Sequence, residues 1–130
     1  MTTKVTSKKK KKVAKHVPSG RIYIHATYNN TLITITDPQG NVVSWSSAGK
    51  VGFKGPKKAT PYAAGVIVKD ALSRTKDLGL KECFIYVDGV GSGREAAIRA
   101  INVNNIQIIG IKDITPIPHN GCRPPGPRRM

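Results

Sequence analysis

The stretch GVGSGRE, residues 89–95, joins an apolar run that reads as a strand to a run that reads as a helix. Phosphate-binding loops sit at such junctions, because the first N–H groups of a helix are unpaired and carry partial positive charge. Asp113 lies 20 residues after Gly93, near the end of the next apolar run. An acid at that spacing is what a dinucleotide fingerprint uses to hold a ribose. The pattern here, however, is G-x-G-x-G-R. Arg94 stands where a third glycine would let helix and strand approach closely, and no Lys-Ser or Lys-Thr pair follows the glycines. A chain of 130 residues also has no room for a second mononucleotide half. No cofactor is therefore expected. The same physics suits a backbone phosphate of a nucleic acid, held at the helix start by Ser92, Gly93 and Arg94.

Other chemistries find less support. His119 and Cys122 form H-x-x-C, but two ligands do not make a zinc site. His16 reads as a phosphate contact or a bystander, and His25 as a sheet residue. A nuclease needs clustered carboxylates to hold metal ions. Asp37 is explained by a turn, Asp88 by the exit from a strand, and Asp113 sits beside Lys112. No enzyme is expected. Cys83 falls inside an apolar run and reads as a small core residue, so neither cysteine implies a disulfide framework. A reducing compartment is the default.

Charge is the most informative property. The formal net charge is +15 and the isoelectric point about 10.2. Residues 1–21 carry Lys4, Lys8, Lys9, Lys10, Lys11, Lys12, Lys15 and Arg21; residues 50–58 carry Lys50, Lys54, Lys57 and Lys58; the tail carries Arg123, Arg128 and Arg129. None of these segments contains an acid, and the remainder of the chain has seven basic residues against seven acids. The body is thus formally neutral, and the whole excess sits in two tails and one loop. Such segregation reads as the footprint of a polyanion. A membrane surface would also attract basic tails, but no amphipathic helix, lipidation motif or apolar run near the ~18 residues of a span accompanies them. The N-terminal lysines are not followed by the apolar core of a signal peptide.

These segments need a body to position them. RIYIHATY and TLITIT alternate apolar and polar residues and read as strands. Asn29-Asn30 between them suits a tight turn, since Asn tolerates positive φ. Asp37-Pro38-Gln39-Gly40 is a second turn, and NVVSW a third strand. SSAGKVGFKGPKK, residues 46–58, reads as a loop whose lysines could neutralise phosphate while Phe53 stacks on an unpaired base. A helix should begin at Thr60 with Pro61 in its first position, bury Ala64, Ile67, Val68, Ala71 and Leu72, and close at Gly79. KECFIYVD should be a central strand. Ser92 and Glu95 form a capping box that opens a second helix. IQIIGIKDIT, nearly all apolar, should be a buried last strand. Strand, helix, strand in this order implies a parallel crossover. The expected fold is a mixed α/β sheet: an antiparallel three-strand meander, a helix, then β-α-β. Residues 1–17 should be a basic extension that orders on RNA, 18–116 a single α/β domain, and 117–130 an extended tail rich in Pro and Arg.

Four segments taken together resemble one family. GRIYIHATYNNTLITITDPQGNVVSWSSAGKVGFKG, TPYAA, GSGREAAIRA and IKDITPIPHNGCRPP, in that order, are similar to the bacterial-type small-subunit ribosomal protein eleven family from about Pro18 to Pro125. PGPRRM carries fewer basic residues than the usual ending. The resemblance implies a ribonuclease-H-like sheet without catalysis. It implies a structural place on the small-subunit platform, where the protein binds ribosomal RNA and bridges several RNA helices. It implies a part in the cleft that holds the messenger RNA's ribosome-binding (Shine-Dalgarno) sequence, with ribosomal proteins seven and eighteen as neighbours. The ribosome would be that of a bacterial cytoplasm or an organelle, with no membrane partner and no homo-oligomer. RNA contacts are implied at Asn29, Asn30, Lys50, Phe53, Lys54, Ser92, Gly93, Arg94, His119, Asn120 and Arg123. The remaining cations of the basic segments, Lys8 to Lys12, Lys15, Arg21, Lys57, Lys58, Arg128 and Arg129, are expected to pair with phosphates.

Overall fold

The computed structural model describes residues 16–127. The expected contacts at Lys8 to Lys12, Lys15, Arg128 and Arg129 lie outside the described residues. Three antiparallel strands open the fold: β1 (Ser19–Ala26), β2 (Thr31–Thr36) and β3 (Val42–Ser47). Helix α1 (Pro61–Ser73) follows, then β4 (Glu82–Asp88), helix α2 (Gly93–Val103) and β5 (Gln107–Asp113). The sheet order is β3-β2-β1-β4-β5, with β4 parallel to both β1 and β5.

The register explains the core. Ile22 lies between Ile35 and Ile85, and Ile24 between Ile33 and Val87. These side chains share one face of the sheet and are buried against Ala64, Ile67, Val68, Ala71 and Leu72 of α1 and Ala97 and Ile101 of α2. Each buried isoleucine contributes about 1.5–3 kcal/mol relative to exposure. Thr60 caps α1 as expected: its hydroxyl accepts from Ala63 N at 3.2 Å, with Pro61 at the first position. The opposite face of the sheet carries half-exposed Tyr23, Phe84 and Tyr86 and exposed Trp45.

Four local expectations need correction. First, β5 is an edge strand and not buried: Ile109 is 58% exposed and Ile111 53%. Helix α1 packs on β2 and β3, and α2 on α1 and β1, so little covers β5. Second, α1 ends at Ser73. The Thr75 backbone N–H and hydroxyl both donate to Leu72 O, at 3.0 and 2.8 Å, and this local bonding draws the chain off the helix. Gly79 does adopt the left-handed conformation (φ 72°), but it closes the short 3-10 turn Lys76–Leu78. Third, Ser92 does not cap α2; its hydroxyl donates instead to Ala59 O. Fourth, neither Asn29 nor Asn30 has positive φ. The turn is organised by Thr27, whose hydroxyl accepts from Asn30 N at 3.0 Å, while Asn30 Oδ1 accepts from Thr31 N at 2.8 Å. The Asp37 turn forms as expected: its carboxylate accepts from Gln39 N and Asn41 N at 3.1 and 2.7 Å. Burial pulls that carboxyl up, but the bonds from Asn41, Gln39 and Gly40 outweigh it and hold it below its ordinary value.

Candidate nucleic-acid interface

Strands β1, β4 and β5 run in one direction, so their C-terminal ends share one end of the sheet. The β1–β2 turn, the loop after β3, the β4–α2 loop and the start of the C-terminal tail all emerge there. Direct contacts join them. Gly91 backs onto Thr27 of the first turn, where an added Cβ would lie 2.6 Å from Thr27 O. Gly93 packs against Thr31 and Ala64. Ser92 reaches Ala59, and Gly89 N donates to Thr115 Oγ1 at 3.1 Å. The structure thus brings together Asn29, Asn30, the Lys50–Lys58 loop, Ser92, Gly93 and Arg94. Arg21 is not with them, because it stands near the opposite end, beside Phe84 and Thr36.

The glycines of GVGSGRE have a packing role. They let the β4–α2 loop lie directly on the first hairpin, which leaves Gly93 buried. Arg94 is also engaged. Its guanidinium donates to Asp113 Oδ2 at 2.6 Å and to Gly89 O at 3.2 Å. Asp113 in turn accepts from the Thr115 hydroxyl at 2.6 Å and the Thr115 N–H at 2.9 Å. These Thr115 bonds, then Arg94, hold the Asp113 carboxyl well below the usual carboxylate range. The acid at fingerprint spacing is therefore part of a clamp. It fixes Thr115, the residue from which the proline-rich tail departs.

Within the basic loop, residues Gly55–Ala59 form a 3-10 turn that keeps Lys54 and Lys57 exposed and Lys58 half-exposed. Phe53 turns inward against the core and meets Tyr62 edge-on, with ring centroids 6.0 Å apart. The aromatic rings left open at this end are Tyr28, 86% exposed, and Tyr62, 75% exposed. Nothing in the sequence pattern distinguishes Tyr62 from a packed ring, whereas Tyr28 stands beside two asparagines in a turn, which is a signal of exposure. Lys50 folds back over Trp45, its ammonium 4.3 Å from the indole centroid. In the tail, His119, Asn120 and Arg123 are exposed, and Asn120 takes positive φ (57°). His25 pairs with Asp88 at 3.1 Å. Cys83 is buried, and burial pushes its thiol up to about 11. Among the described residues no three His, Cys, Asp or Glu side chains gather as a metal site, and no helix is long and apolar enough to cross a membrane.

The geometry defines a class: a charge-bearing scaffold, in which a formally neutral α/β body presents acid-free basic segments. Residues 20–129 match the family model described as "Ribosomal protein S11". The small ribosomal subunit protein uS11 of Helicobacter pylori is 55% identical over the full length of both chains. That of Nitratidesulfovibrio vulgaris is 55% identical over 93% of this chain and 94% of its own, and that of Campylobacter fetus 54% over 94% and 95%. The chain belongs to the S11 family of small-subunit ribosomal proteins.

Proposed function

We propose that this protein is a structural constituent of the small ribosomal subunit that binds ribosomal RNA on the platform and bridges RNA helices there. The observation that carries the reading is the convergence of four motif-bearing segments at one end of the sheet, in a chain whose charge excess lies wholly outside the neutral body. Lysines and arginines neutralise phosphates that would otherwise repel, and counterions are released. The sheet order supports a ribonuclease-H-like arrangement used as a scaffold and not for catalysis. The tail beyond Thr115 carries five prolines that limit its freedom before docking, so less entropy is lost on binding. We assign the basic tail segments, the 50–58 loop, Asn29 and Asn30, the Ser92–Arg94 turn and His119–Arg123 to RNA contact. Within the turn, Arg94 also positions the tail through its bond to Asp113. The messenger RNA cleft and ribosomal proteins seven and eighteen are the proposed surroundings, on a bacterial ribosome.

The test is co-sedimentation with small subunits after a high-salt wash. Retention is expected. A protein that washes into the supernatant while other small-subunit proteins stay bound refutes the reading.

A further inference from the structure

Beside the interface described above, the outer edge of β3 faces a second feature. An open groove of about 490 Å³ runs between the 48–52 turn and α1, lined by Lys50, Val51, Lys69, Asp70, Ser73 and Arg74. At its β3 side, Lys50 Nζ and Arg74 Nη1 both donate to one carbonyl, Trp45 O, at 3.2 and 3.3 Å. Two cations therefore converge within reach of a single small anion. The groove's one carboxylate, Asp70, is already shared between Arg74 Nη2 at 3.2 Å and the Ser46 hydroxyl at 2.8 Å. Lys69 is exposed and bonds to no side chain among the described residues. Three cations thus face one committed acid.

We infer that this groove is an RNA subsite, in which a backbone phosphate sits between Lys50, Lys69 and Arg74 and an adjacent unpaired base lies against Trp45. The charge surplus selects a polyanion over an ordinary protein surface. Trp45, 50% exposed, supplies the apolar plane that an unpaired base uses and that a bare phosphate does not need. The Lys50 ammonium, at cation–π distance from the indole, links the two halves of the site. In the free protein Lys50 and Arg74 satisfy an exposed edge carbonyl of β3, which also discourages strand pairing there. The groove is continuous with the proposed interface, since Lys50 and Val51 belong to the loop that leads to Phe53 and Lys54.

This inference rests on the rRNA-binding reading, and the experiment separates the two. Trp45 is the single tryptophan of the chain, so its emission reports this site alone. The full-length protein is titrated with deproteinised small-subunit ribosomal RNA, following filter retention and tryptophan emission together. Emission should fall in step with retention. Lys69→Gln, which removes no side-chain hydrogen bond or ion pair among the described residues, should lower the slope of log affinity against log salt by about 0.7–0.9. Saturable retention with unchanged Trp45 emission, or an unchanged slope in Lys69→Gln, overturns the subsite and leaves the rRNA reading standing. Absence of retention overturns the rRNA reading itself.

Discussion

The packing role of the glycine motif yields a prediction that a phosphate-cradle role does not share. Gly93 is buried at the first position of α2. A Cβ added there would clash with Thr31 Oγ1 and lie 3.2 Å from Ala64 Cβ. Its backbone φ is not positive, so alanine meets no conformational penalty at this position and the clash acts alone. Overpacking of this kind costs about 1–3 kcal/mol. The better helix propensity of alanine returns at most about 1 kcal/mol. Gly93→Ala should therefore destabilise the fold by roughly 1–2 kcal/mol, from the difference of those effects. At roughly 3–5 °C per kcal/mol for a domain of this size, the melting temperature should fall measurably. Thr31 Oγ1 is buried without a hydrogen-bond partner, so Thr31→Ala gives up no bond and should cost only its buried γ-methyl, about 1 kcal/mol. The pair Thr31→Ala with Gly93→Ala should recover most of the loss, because the clashing oxygen is gone and the nearest remaining contacts are 3.2 Å or more. Urea denaturation of the four proteins, read by circular dichroism, gives the cycle. If Gly93→Ala keeps wild-type stability but loses RNA affinity, the glycine exists for the phosphate and the packing account is wrong.

Asp113→Asn should release the tail: amide exchange at Thr115 and Gly89 should rise, and unchanged protection at both would disprove the clamp. Because the folded carboxyl is depressed, its contribution is fully present above the ordinary carboxylate value and lost only as pH falls through the lower folded value; the wild-type clamp should thus survive at pH 4, read by the same exchange. Native protein at pH 8 should react with one equivalent of a thiol reagent, at exposed Cys122, and with two only after denaturation, because buried Cys83 holds its proton up to about 11; two rapid equivalents in the native state refute the core assignment. Removal of residues 1–15 should flatten the salt dependence of rRNA binding by about 0.7–0.9 per lost phosphate contact, and an identical slope would show that those lysines do not pair with phosphate.

The strands and their faces were legible because Ile22, Ile24, Ile33 and Ile35 alternate strictly, and period-2 alternation has one structural meaning when one face is buried. Thr60-Pro61 likewise marks a helix start by local chemistry alone. What failed depended on neighbours that local pattern does not encode. QIIGIKD has the composition of a doubly buried strand, yet its place at the sheet edge follows from where two helices settle over other strands. Ser92 has the residue type and spacing of a cap, but a carbonyl from Ala59 competes for its hydroxyl. The pairing of Arg94 with Asp113 and the packing of Phe53 on the core were not legible either, because those partners are distant in sequence and adjacent only in space.

The division of charge explains why the fold can be small and still carry +15. Self-repulsion destabilises a compact state when like charges are spread over it. Here the seven cations outside the basic segments are matched by seven acids, and several pair locally: Arg74 with Asp70 at 3.2 Å and Arg94 with Asp113 at 2.6 Å. One basic segment leads into β1 at one end of the sheet, while the 50–58 loop and the arginine tail leave from the other. The direction of β1 and β5 sets that separation, since both run toward the end that holds the β4–α2 loop. A polyanion that engaged Arg21 as well as the 50–58 loop would have to span the sheet from one end to the other. On the proposed RNA-bridging reading the body serves as a spacer between phosphates, and its stability, more than any single lysine, sets how far apart they are held.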